Sequence, residues 1–185
     1  MDILPAAHAP AAPELEVAGW LDPARPLPLA ALRGRVVLLH TFQMLCPGCV
    51  AHGIPQAAAV HARFAARGVV TLGLHSVFEH HAVMGPEALA AFAGEYRLGF
   101  PIAIDRPSPD GPVPQTMARY RLRGTPSLAL IDHLGRLRGT AFGRVDDLAL
   151  GAALGQLLSE RDLADERADA GCSDAGCPVP EAVAP

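Results

Sequence analysis

The chain has 185 residues, enough for one domain with a sizeable core and short extensions. Half of them are hydrophobic and 18% are charged, which excludes a disordered or fibrous protein. The net charge of −4 gives no reason to expect a nucleic-acid partner or an anionic membrane surface.

Residues 1–18 are rich in Ala and Pro and read as an extended arm. They lack the basic start and apolar core of a secretory signal, so a cytoplasmic setting is expected. "RGRVVLLHTF" (33–42) is a basic turn followed by a β-branched apolar run, the pattern of a buried strand. Pro47 suits the first turn of a helix that continues to Gly68, and Pro55 should kink it. Residues 36–62 carry no formal charge, a length that could span a bilayer. Pro47, Gly48, Gly53, Pro55 and three histidines inside that stretch argue against a span.

"VVTLGLHSV" (69–77) predicts a second buried strand, and 85–99 a helix opened by Pro86 and closed by Gly99. "PIAID" (101–105) is a short strand, 106–114 a turn-rich loop and 115–122 a short helix. Residues 127–143 hold two strand-like runs around a turn at His133–Gly135. A helix follows over 146–158, with acids in its first turn. The folded domain is thus read as 19–158, followed by an acidic, mobile tail over 159–185. Strands alternating with helices, then a hairpin and a helix, indicate an α/β sheet with one antiparallel edge.

Cys46-Pro47-Gly48-Cys49 falls where the first buried strand ends and a helix begins. A helix N-terminus carries partial positive charge and free N–H groups, which favour a thiolate over a thiol. Cys46 is nearer the exposed end and would attack; Cys49, one turn in, would resolve. In a reducing cytosol such a pair is catalytic, redox-sensing or metal-binding rather than a structural staple. Far along the chain, Thr125-Pro126 opens a strand, a position where proline is tolerated.

Together these stretches resemble the thioredoxin superfamily, and within it the TlpA/ResA-like branch. The resemblance runs over residues 20–158 and rests on "PLPLAALRGRVVLLHTF" leading into the cysteine pair, on "FPIAID", and on "RGTPSLALIDHLGRLRG". It implies a thioredoxin-like α/β fold, a central mixed sheet flanked by helices with an inserted βα unit, and a thiol–disulfide oxidoreductase that uses no cofactor and no metal. It also implies that Pro126 follows a cis peptide bond and packs on the dithiol, and that the Thr125 backbone pairs with a polypeptide substrate. Leu45, Pro47 and Gly48 would complete the substrate contact.

Three departures stand out. Leu45 replaces the tryptophan usual before the first cysteine. His40 stands six residues before Cys46, where many relatives carry a buried acid that relays a proton to the resolving thiol. Imidazole can take that role near neutral pH; the alternative is a core histidine satisfied by backbone. Pro55 comes six residues after Cys49, where the family's proline more often comes five after, so an irregularity near Gly53 is expected. His52, one turn past Cys49, either faces the dithiol or is exposed.

"LHSVFEHHAVMG" supplies His75, Glu79, His80 and His81 in a loop expected on the rim that carries Cys46. These are a weak metal site, a set of groups tuning the thiolate, or a solvated loop. Cys172 and Cys177 in the tail are a second redox pair, contributors to a zinc site, or without a role. The partners expected are a disulfide-containing protein or small molecule and a thiol reductant. Two other functions compete: a metal-binding sensor or chaperone of the same fold, and a peroxiredoxin-type peroxidase. The latter needs Pro-x-x-x-Thr-x-x-Cys, and the required positions hold Leu39 and Gln43 for Cys46, or Phe42 and Cys46 for Cys49.

Overall fold

A computed structural model describes residues 1–22 and 24–169. Cys172 and Cys177 therefore lie outside the described residues. Six strands form one sheet: β1 (Val17–Trp20), β2 (Val36–Phe42), β3 (Val69–His75), β4 (Ile102–Asp105), β5 (Ser127–Ile131) and β6 (Leu137–Phe142), in the order β1-β4-β3-β2-β5-β6. β2, β3 and β4 run parallel, whereas β1, β5 and β6 pair antiparallel to their neighbours. The sheet is the mixed one expected, with helices α1 (Ile54–Phe64), α2 (Pro86–Glu95), α3 (Gln115–Arg119) and α4 (Asp147–Asp169) around it.

All seven residues of β2 are buried, because this central strand is covered on both faces. Alternation along it builds two cores. Val36 and Leu38 meet Val60 of α1 and Leu150, Leu154 and Leu157 of α4. Val37 and Leu39 face the other way, toward Leu72, Leu74, Ala129, Ile131 and Tyr120. Each buried leucine contributes roughly 1.5–3 kcal/mol relative to exposure.

The second face also takes Leu15, Leu29 and Leu32, so the N-terminal segment closes the core. It is pinned by hydrogen bonds and contains a 3-10 turn at Ala6–His8. Leu4 N–H donates to Arg138 O (2.6 Å), Leu137 N–H to Pro10 O (2.8 Å) and Tyr120 Oη–H to Pro13 O (2.7 Å). β1 was not expected. "VAGW" carries a weak strand signal, and its pairing with β4 supplies what local propensity does not.

α4 runs eleven residues beyond its expected end at 158. Arg138 is fully buried and binds Glu160 through both terminal nitrogens, Asp132 Oδ2 (3.4 Å) and Leu4 O (2.6 Å). Arg161 donates to Arg67 O (2.9 Å). These bonds hold a stretch that has no apolar stripe of its own, and its Ala, Glu, Arg and Leu residues are strong helix formers.

Candidate active site

β2 ends at Phe42, and the chain turns through Gln43–Leu45 into a helical segment begun by Pro47. Cys46 N–H donates to Gln43 O (3.3 Å) and Val50 N–H to Cys46 O (3.1 Å), which seats the first cysteine at the helix start. Cys49–Gly53 then form a π-helical turn, closed by Ile54 N–H on Cys49 O, before α1 begins. Pro55 has no N–H to give Ala51 O, and a wide turn takes up the extra residue between Cys49 and the proline. This turn is the irregularity expected near Gly53.

The two sulfurs occupy different environments. Cys46 is half-buried; its Sγ accepts the N–H of Cys49 (3.2 Å) and lies 3.4 Å from Thr125 O, to which a thiol donates. Cys49 is fully buried, and burial first, then its contact with Cys46, pushes its thiol up to about 12. The Gln43 backbone and the Thr125 hydroxyl act in the opposite direction but are the weaker influences.

The Thr125–Pro126 peptide is cis. Pro126 sits against the cysteine segment at two glycines: a Cβ on Gly48 would lie 3.3 Å from Pro126 Cδ, and one on Gly53 2.8 Å from Pro126 Cβ. Pro126 O accepts from Gly143 N–H (2.8 Å), tying the loop after β6 to the same place. Leu45, 56% exposed, and Phe142, 52% exposed, are apolar side chains facing solvent beside these segments, and the Arg123 guanidinium lies over the Phe142 ring. Pro47 is exposed as well.

His40 is buried in β2 with its ring edge against Gly53, where a Cβ would lie 2.6 Å from His40 Cε1. Burial lowers its pKa to about 4, only partly offset by a hydrogen bond to the Ser127 backbone. Its Nε2 is buried without a partner. At neutral pH, His40 therefore presents a bare lone pair in the layer between Pro126 and the helix that starts at the dithiol.

The rim histidines separate. His75 ends β3 and is buried, with a pKa lowered to about 4 by that burial, whereas His80 and His81 are exposed. Among the described residues, no three His, Cys, Asp or Glu side chains gather closely enough to hold a metal ion. His52 is exposed and lines a groove between α1 and α4.

Sequence reasoning missed two residues here. Gln43 is buried beneath the cysteine turn, accepting Phe78 N–H (3.3 Å) and donating to Glu79 (3.4 Å). Its only signal was a polar residue inside an apolar run. Phe142 carries no local signal, because the hairpin alone brings it to this rim.

The fold and the paired cysteines at a helix start define a protein of the thiol–disulfide oxidoreductase class. Two solved structures are similar over nearly their whole length. A thioredoxin-like superfamily protein is 54% identical, with 81% of this chain and 97% of that one covered and a TM-score of 0.78. A thiol-disulfide isomerase from Corynebacterium glutamicum is 50% identical, with 83% and 98% covered and a TM-score of 0.78. The chain belongs to the thioredoxin-like superfamily and falls in its thiol–disulfide oxidoreductase class. It is also 30% identical over 152 residues to protein DipZ of Mycobacterium tuberculosis. That match covers 80% of this chain, which spans only about a fifth (21%) of DipZ. No family model matches the chain. No helix among the described residues is long and apolar enough to cross a membrane.

Proposed function

We propose that the protein exchanges disulfides through Cys46 and Cys49. The Cys46 thiolate attacks one sulfur of a substrate disulfide; a Cys46–substrate disulfide forms and the other substrate sulfur leaves as a thiolate. Cys49 then loses its proton and attacks Cys46 Sγ. The second substrate thiolate leaves, the substrate is reduced by two electrons, and the enzyme carries a Cys46–Cys49 disulfide. An external thiol reductant restores the dithiol.

The observation that carries this reading is the asymmetry of the sulfurs. Cys46 is accessible, and its sulfur accepts a backbone N–H. Cys49 is buried, with its thiol held up to about 12. An attacking group must be reachable, whereas a resolving group should stay protonated until a mixed disulfide places a sulfur beside it. Its proton then needs an acceptor, and His40 Nε2, buried and without a partner, supports that role directly or through one water. Burial keeps His40 neutral and weakens it as a base, so it would pass the proton on to the departing substrate thiolate rather than hold it.

The substrate is proposed to be a disulfide-bonded polypeptide lying across the Thr125-Pro126 backbone, with Leu45, Pro47, Gly48 and Phe142 around its cysteine. A small disulfide reaches Cys46 without those contacts. At a cytosolic glutathione poise the couple would run toward reduction of the substrate, and at a more oxidising one toward its oxidation. The test is the reduction potential of the Cys46–Cys49 couple, titrated against glutathione with thiol trapping and mass spectrometry. A value near about −270 mV, as in thioredoxin, supports a reductase, and one near about −120 mV an oxidant. Absence of any reversible Cys46–Cys49 disulfide overturns the proposal.

A further inference from the structure

The groove between α1 and α4 takes no part in the exchange chemistry above. It holds ≈ 510 Å³, within the range of ligand-binding clefts. Val60, Leu150 and Leu154 form its apolar floor, all three buried. It stays open because the helices present small residues to it: a Cβ on Gly151 would meet nothing within 4 Å. One end reaches Gly53 and Gly143. The first packs on Pro126 and the second donates to Pro126 O, so the groove begins where the mixed disulfide would form.

Its rim carries uncommitted positive charge. Arg63 and Arg144 line it, both exposed, and neither forms an ion pair among the described residues. The carboxylate on the rim, Asp147, is engaged by Gln56 Nε2 (2.6 Å), which also donates to Val145 O (2.8 Å). An apolar floor beneath unpaired guanidinium groups complements an apolar side chain next to a carboxylate.

We propose that this groove is a specificity subsite for polypeptide substrates, taking an apolar residue and a neighbouring acidic residue from the segment that flanks the reactive cysteine. The proposal rests on the exchange reading above, because it places that cysteine at Cys46. Length favours a polypeptide. The lining runs from His52 to Phe64 along the helix, roughly 18 Å at 1.5 Å per residue. An extended segment of about five or six residues spans that distance, and a small disulfide held at Cys46 does not.

The test uses the full chain and two synthetic decapeptides in which serine stands for the reactive cysteine. One carries Leu-Glu four residues from the serine and the other Leu-Lys. The Leu-Glu peptide should bind about tenfold more tightly. Arg63→Ser with Arg144→Ser should erase that preference, and Gly151→Trp, which fills the groove without touching the dithiol, should weaken both peptides. All variants should turn over hydroxyethyl disulfide at the wild-type rate. Equal binding of the two peptides, or a preference that survives both sets of substitutions, overturns the proposal. So does a loss confined to oxidised glutathione, which would assign the groove to a small disulfide. Failure of the exchange reading shows separately, as no turnover of hydroxyethyl disulfide by the wild type while peptide binding still reports on the groove.

Discussion

Two buried polar clusters sit at opposite ends of the sheet, and they are built on opposite rules. The Arg138 guanidinium is fully answered by Asp132, both oxygens of Glu160 and Leu4 O, although His133 Nδ1 beside it is buried without a partner. Around the dithiol, His40 Nε2, Thr41 Oγ1 and His75 Nε2 are buried without partners. A buried polar group left unpaired costs about 1–3 kcal/mol, so such groups are retained where something other than stability selects them. The satisfied cluster fastens the N-terminal segment and α4 to β6. Of the unsatisfied groups, His40 lies in the layer against Gly53 that the proposed chemistry needs to move a proton.

Breaking each cluster should give opposite signatures. The largest effect belongs to the dithiol. Cys46→Ser should lower disulfide turnover by about a thousandfold or more without loosening the fold, while Cys49→Ser accumulates a mixed disulfide visible by intact mass. A Cys46→Ser variant that retains turnover would overturn the assignment of the attacking group. Next comes Arg138→Ala, which strands Asp132 in the interior. It should lose about 3–5 kcal/mol in urea unfolding while the folded fraction keeps its wild-type turnover.

The buried histidines sharpen the contrast through pH. His40 and His75 are lowered from 6.5 to about 4, so between these values the unfolded chain binds protons that the folded chain refuses. Stability should therefore fall as pH drops from 6.5 toward 4, by on the order of 2–3 kcal/mol per histidine, and level off below. His40→Gln should flatten part of that slope in urea titrations at pH 7 and pH 5, and should also slow release from the mixed disulfide. A slope unchanged in the variant would remove His40 from the account. Gly53→Ala has the smallest expected effect. Its Cβ would meet His40 Cε1 at 2.6 Å and Pro126 Cβ at 2.8 Å, so a loss of about 1–3 kcal/mol and slower turnover are expected together. Full activity in that variant would show that the layer between His40 and Pro126 is not tightly set.

Much of the fold is legible in the chain because its signals are local. The unbroken apolar run Val36–Leu39 reads as a strand covered on both sides, and Pro-led helix starts at Pro47 and Pro86 need no partner to be recognised. The π-helical turn could be anticipated from the count between Cys49 and Pro55, since a missing N–H is a property of the proline alone. β1 and the last turns of α4 were not legible. Their stability comes from β4 in one case and from Arg138 and Arg67 in the other, far away in sequence. The sequence placed His75 at the end of a strand but could not show that it is buried, because the cover comes from its neighbours in the sheet.

What the sequence determined by itself is the chemistry available: two thiols three residues apart at a helix start, a proline fit to face them, and a histidine one strand-length behind. These are matters of residue type and spacing. Only the tertiary structure decided how the thiols differ, because accessibility and desolvation depend on what packs against each sulfur. It alone placed His40 against Gly53 and Pro126. It also aligned Arg63 of α1 and Arg144 of the loop before α4 along one groove, since a rim of charge exists only once α1 and the start of α4 lie side by side.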